Sequence, residues 1–237
     1  IAIVDLRGDA FAAPVRIALD DAFTDPATRE VVAAPDGSFL LIRSLASAGL
    51  AIFDAAARTF AQVELPAAAT DLDVSADGSL AVAVMRTAGQ VATIPLPDAL
   101  GDPGAIAFAS VELPGQGCEE PPCVHAPGQA TLAPDGSFAL LFSNAAPTES
   151  FARFDPADGS FVVFDRLEKR VETIVLSPDG GSAVVLHRPD PDSTAADPYE
   201  RAVDAAHGHS VIDLVRGVGQ LKLTGALAPI DVVFAEG

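Results

Sequence analysis

One phrase occurs four times in this chain, and it constrains the fold more than any other feature. The copies are "VVAAPDGSFLLI" (31–42), "LDVSADGSLAVAV" (72–84), "ATLAPDGSFALLF" (130–142) and "IVLSPDGGSAVVL" (174–186). Each is an apolar run, a Pro-Asp-Gly or Ala-Asp-Gly step, and a second apolar run. Proline presets φ for a turn, aspartate bonds its own backbone, and glycine accepts positive φ. The flanking runs have strand length and are rich in Val, Leu, Ile and Phe. Every copy therefore reads as strand, turn, strand, and Asp36, Asp77, Asp135 and Asp179 read as turn formers rather than catalytic acids.

A second hairpin follows most copies. It appears as "LAIFDAAARTFAQVELP" (50–66), "FARFDPADGSFVVFDRL" (151–167) and "HSVIDLVRGVGQLKLTG" (209–225), with a looser version in "QVATIPL" and "AIAFASVELP" either side of 97–104. The period is thus four strands, with 41, 58 and 44 residues between successive turn aspartates. Four-stranded repeats of this length are the signature of a β-propeller, and no segment sustains the 3.6-residue period of a helical solenoid. The expected fold is all-β, with blades at about 29–66, 70–114, 128–167 and 171–225. Residues 1–19 match a second hairpin alone, with Asp5 in the place of Asp54, Asp155 and Asp213. Residues 229–237 match the start of a first hairpin. Either the chain is a portion of a larger propeller, which is the reading preferred here, or its ends meet in one composite blade.

The "SPDG" turns followed by "VIDL" strands resemble the bacterial YVTN-type, lactonase-like propeller repeats, and the likeness covers most of the chain. Such repeats specify fold far more than function, because one propeller serves enzymes, binding scaffolds and surface proteins alike. No lactonase active-site pattern matches residue by residue. The resemblance implies export, to the periplasm, cell surface or medium, and wording close to envelope-associated propellers of high-GC bacteria.

Charge narrows the partners. Thirty-three Asp and Glu stand against 14 Lys and Arg, and a net charge of −19 repels nucleic acid and anionic lipid. No run of about 18 apolar residues is present to span a membrane. The chain opens "IAIVDL", with no Met, basic n-region or apolar h-region, so any targeting signal is expected to be removed or to lie outside it. Cys118 and Cys123 sit close together in a Pro-rich stretch and fit a small disulfide in an oxidising compartment. A pair of free thiols is the alternative, and C-x4-C without further ligands is a poor zinc site.

Function in a repeat protein sits in what breaks the repeat, since loops tolerate insertion and regular strands do not. Two insertions do so, at 115–129 between blades two and three and at 187–209 inside blade four. In propellers, as the resemblance implies, both emerge on one face, together with the chain leaving other second strands at Arg43, Arg86 and Asn144. All four histidines (His125, His187, His207, His209) and the only tyrosine, Tyr199, lie in these insertions or at their edges. Arg86, Arg188 and Tyr199 with the histidines are the candidate contacts for a ligand or protein partner, the arginines suiting an anionic group.

Two other readings compete. "HGH" at 207–209 with Asp192, Asp197, Asp204 and His125 supplies possible metal ligands, without a diagnostic spacing. Alternatively "DPYERAVDAAH" is a short helix capping the face, with Asp197 as N-cap, Pro198 first and Glu200 near N3. No nucleophile elbow, H-E-x-x-H, P-loop or G-x-G-x-x-G occurs, so no catalytic residue and no cofactor is assigned. The expected function is a non-enzymatic binding or scaffolding module; a lactonase-like or other propeller enzyme with a site on the same face is the alternative.

Overall fold

The computed structural model describes residues 18–115, 122–165, 167–229 and 231–234, with the backbone of 2–3 and 15–16. Each repeat forms one antiparallel four-stranded sheet, and the chain is a β-propeller of four complete blades among the described residues. A short hairpin of β1 (Ala2–Ile3) and β2 (Val15–Arg16) precedes them. Blade one holds β3 (Arg29–Ala33), β4 (Phe39–Ser44), β5 (Gly49–Asp54) and β6 (Thr59–Glu64). Blade two holds β7 (Asp71–Val74), β8 (Leu80–Met85), β9 (Gln90–Pro95) and β10 (Ala107–Ser110). A helical turn, α1 (Asp98–Gly101), fills the longer connection between β9 and β10. After a two-stranded stem of β11 (Leu113–Pro114) and β12 (Val124–His125) comes blade three. It holds β13 (Gln129–Leu132), β14 (Ala139–Phe142), β15 (Phe151–Phe154) and β16 (Phe161–Phe164). Blade four holds β17 (Val171–Leu176), β18 (Ser182–His187), β19 (His207–Asp213) and β20 (Val218–Gly225), with α2 (Pro198–Ala205) between β18 and β19.

The repeated turns have the predicted chemistry. Gly37, Gly78, Gly136 and Gly180 all have φ between 67° and 75°, a conformation open to glycine and strained for other residues. The aspartate before each accepts hydrogen bonds within its own turn. The Asp77 carboxylate accepts from Ser79 N at 3.0 Å, Ser79 Oγ at 2.8 Å and Ser75 Oγ at 2.7 Å. Those bonds, led by the Ser79 amide, hold its pKa down at about 2, and the same chemistry lowers Asp36, Asp135 and Asp179.

Blades stand side by side on their first strands, β3, β7, β13 and β17. Between blades two and three these innermost strands are stitched every second residue or so. Thr70 Oγ1 donates to Gly128 O at 2.9 Å, and Asp71 accepts from Ala130 N at 2.7 Å. Asp73 then accepts from Leu132 N at 2.8 Å, and Ala76 N donates to Pro134 O at 2.8 Å. Apolar cores fill the space between sheets. Ala81–Met85 on β8 and Ala139–Phe142 on β14 are buried on both faces. Phe23, wholly buried, closes the outer side of blade one against Ile42 and Ala51. Blade four keeps Val211, Val218 and Leu223 exposed on its far side.

Two expectations meet the limits of the described residues. Cys123 is disulfide-bonded, whereas its expected partner Cys118 lies outside them. Residues 231–234 form no strand, since none of the described residues offers them a ladder, and 235–237 lie outside.

Removing the Asp73 carboxylate orphans the Leu132 amide on a buried strand edge, which costs about 1–3 kcal/mol. Asp73→Ala therefore lowers the melting temperature at neutral pH, by roughly 2–4 °C for each kcal/mol in a chain this size. Asp73→Asn keeps an acceptor without a buried charge and stays near wild type in the same scan. Equal melting of the two variants would show that this inter-blade bond is not what holds the edge.

Candidate functional site

The 187–209 insertion is a folded cap. Asp197 is the N-cap of α2, accepting from Tyr199 N at 2.8 Å, with Pro198 in the first turn. The other end of the helix is closed by Lys169, only 1% exposed. Its Nζ donates to the carbonyls of Val203 at 3.0 Å and Asp204 at 2.7 Å, where a helix C-terminus leaves oxygens open and favours a cation. Ser193 Oγ bonds the Asp204 carboxylate, Asp190 N donates to Asp204 O at 2.7 Å, and Arg170 pairs with Asp190 at 3.0 Å.

Beside this cap, at the ends of the inner strands of blades three and four, opens a pocket of about 670 Å³. Gln129, Asn144, Glu172, Arg188 and His207 are polar side chains of its wall. Asn144 is the meeting point of two guanidinium groups. Arg86 Nη2 lies 3.5 Å from its Oδ1, and Arg188 Nη1 lies 3.5 Å from its backbone oxygen. Arg86 rests against Gly128: a Cβ there would stand 1.9 Å from Nη2 and 2.4 Å from Cζ.

The seven residues singled out from sequence do not form one site. Arg188 and His207 line this pocket, with the buried His187 at its wall, and Arg86 reaches that wall only through Asn144. His125 is half-buried on β12, its ring over Gly115 and 3.5 Å from Cys123 Sγ. Tyr199 is 71% exposed on the outer side of α2, beside a depression lined by Glu149, Glu168, Asp197, Glu200 and Asp204. His209 faces outward on β19, opposite Leu186 and Lys222. Among the described residues no three His, Cys, Asp or Glu side chains come together to hold a metal ion, so the "HGH" segment with its nearby aspartates is not assembled into a metal centre.

His187 has a different environment from the one expected of a contact residue. It is 1% exposed, and its Nδ1–H donates to Arg170 O at 3.2 Å. A carbonyl can only accept, so the neutral ring carries its proton on Nδ1, and Nε2 accepts from Ser210 Oγ at 2.7 Å. Ser210 is 2% exposed. Sequence reading misses the pair because His187 and Ser210, 23 residues apart, meet only across the strand ladder. The repeat holds a usable signal. Ala51, Ala92 and Ala152 occupy the register position of Ser210, and Ser44, Met85 and Ser143 that of His187. Only blade four places a hydroxyl and an imidazole together. Lys169 and Gly128, which organise the pocket and its cap, carry no comparable mark in the sequence.

No protein-family description matches the chain, and no curated protein matches it. Solved structures do. Hydrazine synthase of Kuenenia stuttgartiensis aligns with a TM-score of 0.64 at 16% identity, over 91% of this chain and 54% of its own. The dihydro-heme d1 dehydrogenase NirN aligns with a TM-score of 0.56 at 14% identity, over 81% of this chain and 35% of its own. A functionally unknown protein of Desulfotomaculum acetoxidans gives 0.55 at 15% identity, over 93% and 61%. At such identities the likeness establishes the propeller fold alone, and this chain spans between about a third and three fifths of those proteins.

Burial of His187 generates a pH prediction. Desolvation depresses its pKa to about 4, below the ordinary 6.5. Between those values the unfolded chain takes up a proton that the folded chain does not, so stability is lost as pH falls from about 6.5 to 4. The full swing is on the order of 3 kcal/mol. His187→Met, which copies blade two, removes that component. Melting curves of both proteins across this range should converge toward acid pH, and parallel curves would deny His187 the role.

Proposed function

We propose that the protein is a non-enzymatic binding module of an exported bacterial protein, with repeats of the YVTN-type, lactonase-like kind. Its contacts are made on the face that carries the 115–129 and 187–209 insertions. The observation that carries this reading is the pocket beside the Lys169-anchored cap, whose wall joins Gln129 and Asn144 of blade three to Arg188 and His207 of blade four, with Arg86 of blade two reaching Asn144. Binding sites of propellers and other scaffolds sit on loops held by rigid elements, and this cap is held by both ends of its helix. Export is supported by the disulfide-bonded Cys123, a state that persists in oxidising compartments, and by the acidity of the chain.

A propeller enzyme is the second reading, and one observation favours it: the His187–Ser210 pair at 2.7 Å with a neutral imidazole poised to accept a proton. Burial weighs against it. At 1% and 2% exposure neither group meets a carbonyl carbon arriving from solvent.

Two measurements separate the readings. Exchange of residues 190–206 for a short Gly-containing turn leaves the strands of blade four with their own ladder bonds. Circular dichroism and melting should report an intact propeller, while partners captured by the wild type from an envelope fraction are lost. Unfolding would make the segment a structural cap, and full retention of partners would move the contact face elsewhere. Ser210→Ala restores the residue of the other blades, so lactone hydrolysis and labelling by a serine-directed phosphonate should be absent in wild type and variant alike. Labelling of Ser210 in the wild type would establish the enzyme.

A further inference from the structure

The geometry points to an oxyanion subsite at the Asn144 edge of this pocket: Arg188 of its wall and Arg86, which reaches the wall at Asn144, bind the carboxylate or phosphoryl group of a small molecule. This inference rests on the binding-module reading and names the ligand chemistry of its pocket.

Arg43 pairs with Glu30 at 2.6 Å, Arg170 and Arg216 find Asp190 and Asp213, Arg29 and Arg201 donate to backbone carbonyls, and Arg153 lies over the Phe138 ring. Arg86 and Arg188 have no carboxylate partner among the described residues. Each reaches only Asn144, at 3.5 Å, the long limit of a hydrogen bond. A guanidinium has five donors, and the one on Nε of Arg86 is buried without a partner, the only such buried side-chain nitrogen or oxygen among the described residues. Leaving such a donor orphaned is unfavourable, and a guanidinium kept in that position calls for a reason beyond its own hydrogen bonds.

Gly128 supplies an independent observation. Its φ is not in the positive region that calls for glycine, so turn geometry does not require it. What requires it is space: the Arg86 guanidinium lies where a Cβ would stand. The backbone thus makes a seat for this one side chain and holds its guanidinium beside Asn144 of the pocket wall. Gln129 and Asn144 add amide donors to the same wall. Two guanidinium groups and two amides form a donor set for an oxyanion, since arginine binds carboxylate and phosphate through paired N–H groups. The one carboxylate of the wall, Glu172, is exposed and pairs with neither arginine. It sets a like charge near the anion and tempers its affinity.

The test uses the chain itself, ¹⁵N-labelled, titrated with inorganic phosphate and separately with acetate at constant ionic strength. The side-chain Nε–H resonance of Arg86 is the readout. A saturable shift with either anion is expected, and chloride should produce none. Arg188→Gln should weaken the binding about tenfold or more. Gly128→Ala, which pushes a flexible side chain off its seat without a backbone clash, should do the same with melting near that of the wild type. Glu172→Gln should act in the opposite direction and tighten binding. Phosphate alone shifting Arg86 would assign a phosphoryl ligand, acetate alone a carboxylate. A shift that chloride reproduces, or binding indifferent to Arg188→Gln and Gly128→Ala, would overturn the subsite. Either result would leave the loop-exchange experiment on the face as a whole to be judged by itself.

Discussion

A propeller blade turns the edge of its first strand toward its neighbours and the axis, and that edge carries amide groups with no fifth strand to receive them. The Asp71 and Asp73 carboxylates meet this constraint between blades two and three, accepting from Ala130 N and Leu132 N on β13. Two side chains projecting from one face of β7 thereby stand in for a missing strand. Both blades then stay in fixed register, and the apolar layer formed by Val82, Val84, Leu132 and Leu141 closes between them. Blade three meets blade four with a lighter version, Thr131 Oγ1 donating to Ile174 O at 3.1 Å. Position of the pocket depends on this frame, since Gly128 and Gln129 begin the strand that the carboxylates anchor.

The same residue type does opposite electrostatic work in two places. At the turns, aspartates are exposed and their pKa values are lowered by hydrogen bonds, so their support is present above about pH 4 and is lost as pH falls through the folded values. Asp71 and Asp73 are raised instead, because burial outweighs the amide bonds they accept. Their ionised forms cost stability at neutral pH, and part of that cost is recovered as acid protonates them. Acid therefore weakens the hairpin turns and relieves the inner edge over adjoining ranges of pH.

Fold was legible in the sequence because the repeat states it in local chemistry. Asp-Gly between apolar runs sets a hairpin by backbone conformation alone, and four copies with a constant strand order leave few architectures open. Asp197-Pro198 marked α2 for the same reason, since capping is read within a few residues. Long-range features were not legible. Lys169 lies 34 residues before the helix end it caps, and nothing local distinguishes it from a surface lysine. The His187–Ser210 pair depends on ladder register, and the separation of Tyr199 from Arg86 depends on which side of α2 faces the propeller. Clustering in sequence put seven residues on one list; three dimensions divided them among four environments.

What survives that division is instructive about where a repeat protein places polar chemistry. Regular positions of the blade are held to apolar or small residues by packing from two neighbouring sheets, so polar groups enter only where a strand ends. Asn144 and Arg188 stand just beyond the second strands of blades three and four, nine residues after their turn aspartates, and Arg86 has the same place in blade two. Leu45 holds it in blade one, 53% exposed. Three blades thus deliver, from equivalent positions of the repeat, an arginine, an amide and an arginine to neighbouring points around the axis. The propeller's rotation, rather than proximity in the chain, brings them together. A change in any one is free of the hairpin chemistry that fixes the blade, and this separation lets the face vary while the fold stays constant.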